Sequence, residues 1–80
     1  MLDAQLVEAI ARNFGLEPGE VSSETGPETA PEWDSVGHLR LILDVEEAYG
    51  VRFPTREISL LTSAGRIQSA LDRLRSGERT

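Results

Sequence analysis

Apolar residues at the front of the chain recur every four positions, at Leu2, Leu6, Ile10 and Phe14, with Val7 and Ala9 beside them. That spacing lines one side of a helix, and Gly15 stands where such a helix ends. From residue 16 to residue 34 the pattern gives way to Pro, Gly, Ser, Thr and Glu, with Leu16, Val21, Ala30 and Trp33 as apolar anchors. A long loop is predicted there, and loops of that length in small domains are usually functional or mobile.

A second helix is predicted over residues 35–49, with Asp34 or Ser35 available as its N-cap and Gly50 as its stop. At the ~100° per residue of an α-helix, Leu41, Ile42, Val45, Ala48 and Tyr49 share one arc, the stripe that a core-facing helix buries. Val36, Leu39 and Leu43 fall on a separate arc, next to Arg40, Asp44 and Glu47. This second stripe has no core explanation. Pro54 prevents the helix from resuming, and Thr55 is placed to cap a short turn that carries Ile58 and Leu61 inward. Ser63 is the expected N-cap of a last helix whose stripe is Ala64, Ile67, Leu71 and Leu74, after which residues 76–80 form a frayed tail. The fold expected is an all-α four-helix bundle, three longer helices and one short one, with a long loop between the first two and a single domain over residues 1–80.

Eighty residues bury only a modest core, so a large active-site architecture is not expected. The formal net charge is -6, and it is uneven: residues 1–35 hold eight acids against Arg12 alone, while residues 36–80 hold six acids against seven arginines. Such an acidic front half repels a phosphate backbone and suits a basic protein surface, so nucleic acid is excluded as the expected partner. There is no cysteine, hence no disulfide, no thiolate metal site and no thiol of the polypeptide's own. Asp3 and Glu8 interrupt the apolar N-terminal stretch, which reads as neither signal peptide nor membrane span, and a cytoplasmic monomer is the expectation.

His38 follows Ser35 by three residues, close enough on a helix for a Ser-His nucleophilic pair. No residue is placed to orient the imidazole, and the angular position of His38 turns it toward the core stripe. It is expected to be a partly buried residue near the short third helix. Trp33 is expected to cover the first turn of the second helix.

The run Trp33-Asp34-Ser35-Val36-Gly37-His38-Leu39, continuing as Arg40-Leu41-Ile42-Leu43-Asp44-Val45-Glu46-Glu47-Ala48-Tyr49-Gly50-Val51, resembles the signature of acyl carrier proteins. In that family an Asp-Ser-Leu or Asp-Ser-Val tripeptide opens the second helix. The order of first helix, loop, Ile58/Leu61 turn and Thr62-Ser63 before the last helix extends the resemblance over nearly the whole chain. The resemblance implies that Ser35 carries a covalent 4'-phosphopantetheine, transferred from coenzyme A by a phosphopantetheinyl transferase that uses Mg2+. It also implies that Asp34 helps that transferase recognise the site, and that Val36, Leu39, Arg40, Leu43 and Glu47 dock partner enzymes of acyltransferase, ketosynthase or ligase type. A carrier of this kind has no catalytic residue, no resident metal and no membrane partner. An anion at a helix N-terminus and an imported thiol agree with the reading of the residues themselves.

Three features depart from the family's usual pattern. Pro27 and Pro31 stand in the loop where large apolar residues are common, Gly37 costs about 1 kcal/mol relative to Ala within a helix, and Arg40, Arg52, Arg56 and Arg66 interrupt an acidic surface. Gly37 implies either mobility or a close backbone approach. The departures together point away from primary fatty acid synthesis and toward a polyketide or other secondary-metabolite pathway. An aminoacyl or peptidyl carrier, an unmodified helical adaptor and, last, a small serine hydrolase are the alternatives.

Overall fold

The first helix forms where the four-residue apolar spacing is, and it ends where glycine permits a left-handed residue. In the computed structural model, which describes residues 2–77 and side chains up to Arg75, α1 spans Ala4–Phe14, α2 Ser35–Tyr49, α3 Thr55–Ile58 and α4 Ala64–Gly77, with a 3-10 turn at Pro18–Glu20. No strand occurs among the described residues. Both α1 and α2 close on a glycine with φ 67°, Gly15 and Gly50, and in each case the next amide returns to the helix, Leu16 N to Ala11 O at 3.0 Å and Val51 N to Glu46 O at 3.1 Å. Leu16 and Val51 then pack on the core, the apolar contact that accompanies this kind of helix end.

The core is built from the predicted stripes. Leu6, Ile10 and Phe14 of α1, Leu41, Ile42 and Val45 of α2 and Ala64, Ile67 and Leu71 of α4 are buried together, with Phe53 and Leu61 from the α3 region. Each fully buried large aliphatic side chain stabilises the fold by about 1.5–3 kcal/mol. Ala48 shares the predicted arc of this stripe but is exposed. Its methyl sits at the rim of the buried arc and is too short to reach across to a neighbouring helix. The expected cap at Thr55 also does not form: α3 begins at Thr55 itself, Pro54 holds the N-cap position, and no side chain caps it. A hydroxyl already inside the first turn cannot reach the amides ahead of it. Ser63 does cap α4, accepting from Arg66 N at 3.2 Å. The helix continues through residues 76 and 77 of the expected tail, and residues 78–80 lie outside the described residues.

The connection from α1 to α2 is tied down by its own threonines and by α4. Thr25 Oγ1 accepts from Ser22 N, and Thr29 Oγ1 from Gly26 N. The carbonyls of Thr25 and Ser23 accept the amides of Ala64 and Gly65, both at 2.9 Å, so the connection caps the start of α4. Gly26 makes this approach sterically feasible, since a Cβ there would stand 2.5 Å from the Thr62 carbonyl oxygen.

At the other end of the bundle, Tyr49 donates to Asp3 Oδ2 at 3.2 Å and Arg75 Nη1 meets the same oxygen at 3.2 Å. Gln68 accepts from Asp3 N at 2.8 Å and donates to Asp72. Hydrogen bonding to Gln68 first, then to Arg75 and Tyr49, holds the Asp3 carboxyl below its usual 3.8, against an opposing effect of burial. Burial, then the Asp3 charge and hydrogen bond, push the Tyr49 phenol above its usual 10.0. The lowered Asp3 value means that its contribution is present above pH 3.8 and fades as pH falls through the folded value. The raised Tyr49 value means that its contribution is present below pH 10.0 and fades as pH rises through the folded value. Thermal unfolding across pH is therefore expected to show, relative to wild type, a flatter acid limb in Asp3→Asn and a flatter alkaline limb in Tyr49→Phe, the latter costing about 0.5–1.5 kcal/mol at neutral pH.

Candidate functional site

The start of α2 is organised by which side chain takes the capping role. Asp34 has extended backbone angles, φ -101° and ψ -169°, and its Oδ1 accepts from Gly37 N at 2.8 Å. This satisfies one of the amides a helix N-terminus leaves without a partner, and it leaves Ser35 free of that duty. Ser35 is exposed, and its hydroxyl makes no hydrogen bond among the described residues. An accessible hydroxyl thus stands in the first turn of a 15-residue helix, at the end where the dipole favours an anion.

Behind this turn, Trp33 is buried and stacks on Phe14 with ring centroids 4.8 Å apart. Its indole Nε1–H donates to His38 Nδ1 at 2.9 Å, and His38 Nε2 lies 2.7 Å from the Ile58 carbonyl oxygen. Because an indole nitrogen only donates, Nδ1 must accept, so the ring proton is on Nε2 and is given to Ile58. Both ring nitrogens are engaged, and neither is available to take the Ser35 proton. The angular reading of His38 as a partly buried residue near α3 holds, and Trp33 covers the first turn as expected. Gly37 resolves to a close approach: a Cβ there would lie 2.7 Å from the Glu32 carbonyl oxygen and 2.9 Å from the Phe14 ring.

The outer face of α2 carries the stripe without a core role. Val36, Leu39 and Leu43 are 58%, 55% and 65% exposed, and Arg40 and Glu47 are exposed beside them. Leu60, just past α3, is a fourth exposed large apolar residue, at 60%, that periodicity did not single out in so short an element. Asp44 leaves this face, because its carboxylate accepts from Asn13 Nδ2 at 2.7 Å and pairs with Arg12 at 3.7 Å. The arginines divide in a similar way. Arg12, Arg73 and Arg75 pair with Asp44, Glu57 and Asp3, whereas Arg40, Arg52, Arg56 and Arg66 form no ion pair among the described residues.

A hollow of about 300 Å3 opens directly beside Ser35, lined by Pro27, Trp33, Asp34, Ser35, His38 and Thr62. Pro27 and Thr62 were not sequence candidates, because nothing in local spacing brings a loop proline to the residue that follows α3. Among the described residues there is no cluster of acidic or histidine side chains able to hold a metal ion, and no helix is long and apolar enough to cross a membrane.

If Asp34 alone caps α2, Asp34→Ala is expected to lower the unfolding free energy by about 0.5–2 kcal/mol, and Ser35→Ala to change it by less than about 0.5 kcal/mol. Urea denaturation of both variants measures this, and equal losses would reassign the cap.

No protein-family model matches the chain. The meromycolate extension acyl carrier protein of Mycolicibacterium aurum is 28% identical to it over 71 residues, covering 89% of this chain and 73% of that protein. The protein of the same name from Mycolicibacterium smegmatis is 28% identical over 71 residues, covering 89% of this chain and 72% of its own.

Proposed function

From the acyl carrier protein family that these two relatives support, we propose that this chain holds acyl intermediates as thioesters on a 4'-phosphopantetheine arm joined to Ser35 Oγ. The observation that carries this reading is the exposed Ser35 hydroxyl in the first turn of α2, left without a hydrogen bond because Asp34 supplies the cap. The residues fit the group. A phosphodiester at Ser35 meets the positive end of the helix dipole, and the Ser35 and Val36 amides are not claimed by the Asp34 side chain. The arm supplies a thiol, which a chain without cysteine lacks.

Asp34 uses only one carboxylate oxygen to accept the capping bond, and its exposed remainder is the feature that a phosphopantetheinyl transferase would recognise. Val36, Leu39 and Leu43, flanked by Arg40 and Glu47, form the surface on which that transferase and acyl-processing enzymes dock. Leu43 continues into a shallow hollow lined also by Glu47, Val51 and Arg52, a shape suited to an inserted apolar side chain. The occupied ring nitrogens of His38 support a carrier with no catalysis of its own. The relatives' part in meromycolate extension supports acyl over aminoacyl cargo. The four unpaired arginines support a specialised pathway of polyketide or other secondary-metabolite type.

Incubation with coenzyme A, Mg2+ and a permissive phosphopantetheinyl transferase is expected to add one phosphopantetheine to the intact mass, and Ser35→Ala to abolish the addition. A wild-type mass that never changes would leave an unmodified adaptor as the better reading. Leu39→Ala and Leu43→Ala are each expected to lower kcat/KM for that loading about five- to tenfold, while unfolding free energy changes by less than about 0.5 kcal/mol.

A further inference from the structure

The hollow beside Ser35 has a role that attachment alone does not explain. Ser35 forms part of its lining, so whatever is joined to that hydroxyl begins there. Pro27 comes from the α1–α2 connection, His38 from α2 and Thr62 from the approach to α4, so the hollow exists only once these three pieces are docked. The docking is secured by the Ser23 and Thr25 carbonyls on the α4 amides and by the close approach of Gly26 to Thr62.

Toward the interior the hollow ends at a wall. The indole of Trp33 donates to His38, and His38 donates to Ile58 O, so two hydrogen bonds span from the residue ahead of the α2 cap to the end of α3. Leu41, Ile42 and Val45, in the same core cluster as Trp33, are at most 1% exposed, and none of the three lines the hollow. A chain leaving Ser35 therefore meets an accessible hollow outside and a hydrogen-bonded barrier inside. At the ~30 Å3 that a water molecule occupies in the liquid, the space holds about ten non-hydrogen atoms. That is enough for the branched, methyl-bearing part of the arm nearest the phosphate and too little for the whole arm with its cargo.

Resting on the carrier reading above, we propose that this hollow seats the proximal part of the arm, and that the Trp33–His38–Ile58 wall keeps the distal arm and its acyl group outside the core. A tether fixes the effective concentration of the arm at this surface on the order of millimolar, so weak apolar contacts suffice to fill the hollow. Cargo held on the surface is presented to partner enzymes without first being drawn out of the bundle.

Trp33 is the chain's single tryptophan, so one indole N–H resonance reports on the wall. The unmodified protein, the arm-bearing protein and forms loaded from acetyl- and octanoyl-coenzyme A, each verified by intact mass, are compared by two-dimensional NMR. Expected are shifts of the Trp33 indole and Thr62 amide resonances on attachment of the arm. No further shift is expected between acetyl and octanoyl, and the Leu41 and Val45 methyl resonances should stay constant throughout. Thr62→Gln, at an exposed position, crowds the hollow and is expected to suppress the arm-dependent shift of the indole without altering the unmodified fold. His38→Ala opens the wall and is expected to make the Leu41 and Val45 methyls respond to octanoyl. An arm-bearing wild type whose indole and Thr62 resonances do not move would overturn the seat. Core methyl shifts that grow with chain length in the wild type would overturn the wall. Absence of any mass addition at Ser35 would overturn the carrier reading itself, and this inference with it.

Discussion

An indole N–H in a buried place must find an acceptor, and in this protein the acceptor is the Nδ1 of His38. That one requirement fixes the histidine tautomer and aims Nε2–H at the Ile58 carbonyl, joining α2 to the short α3. On its other face the indole lies parallel to Phe14, with 12° between the ring planes, so α1 enters the same assembly. Gly37 lets the first turn of α2 settle onto Phe14 and the Glu32 carbonyl, where any larger residue would force them apart. The result is a rigid base under Asp34 and Ser35, with one residue committed to the helix and the other left accessible.

Charge follows the same division between committed and available groups. The ion pairs of Arg12, Arg73 and Arg75 have N···O separations of 3.2 to 3.9 Å and sit at partly exposed positions. Each contributes little to stability, because water screens it and two long side chains must be ordered to form it. They leave Arg40, Arg52, Arg56 and Arg66 without an ion pair among the described residues. Arg40 and Glu47 remain on the outer face of α2, seven residues apart and so about 10.5 Å along the helix axis, with Leu43 between them and Leu39 just ahead of Arg40. The exposed apolar strip of Val36, Leu39 and Leu43 thus has one charge of each sign beside it rather than an all-acidic rim.

Much of the architecture was legible in local pattern. The four-residue spacing in α1, the two glycine stops, the Ser63 cap and the exposed stripe of α2 each arise from interactions within one or two helical turns, which the order of residues dictates. Legibility failed at Ala48 and Thr55 because a wheel projection does not know where the neighbouring helix ends or at which residue a four-residue helix begins. At the candidate site, spacing alone established that Ser35 opens a helix beside an equally good cap. It did not establish which of the two residues caps.

The sequence by itself determined the helical periods, the apolar face left over on α2 and the lack of any thiol. Only the tertiary structure decided that Asp34 caps while Ser35 stays free, that Trp33, His38 and Ile58 form one hydrogen-bonded wall, and that Pro27 and Thr62 meet beside the hydroxyl. The reason is range. A helix is specified by neighbours three and four residues apart, whereas a cap depends on the backbone angles that the docked connection imposes on residue 34. The wall and the hollow depend on groups from separate elements, which no local spacing in the chain encodes.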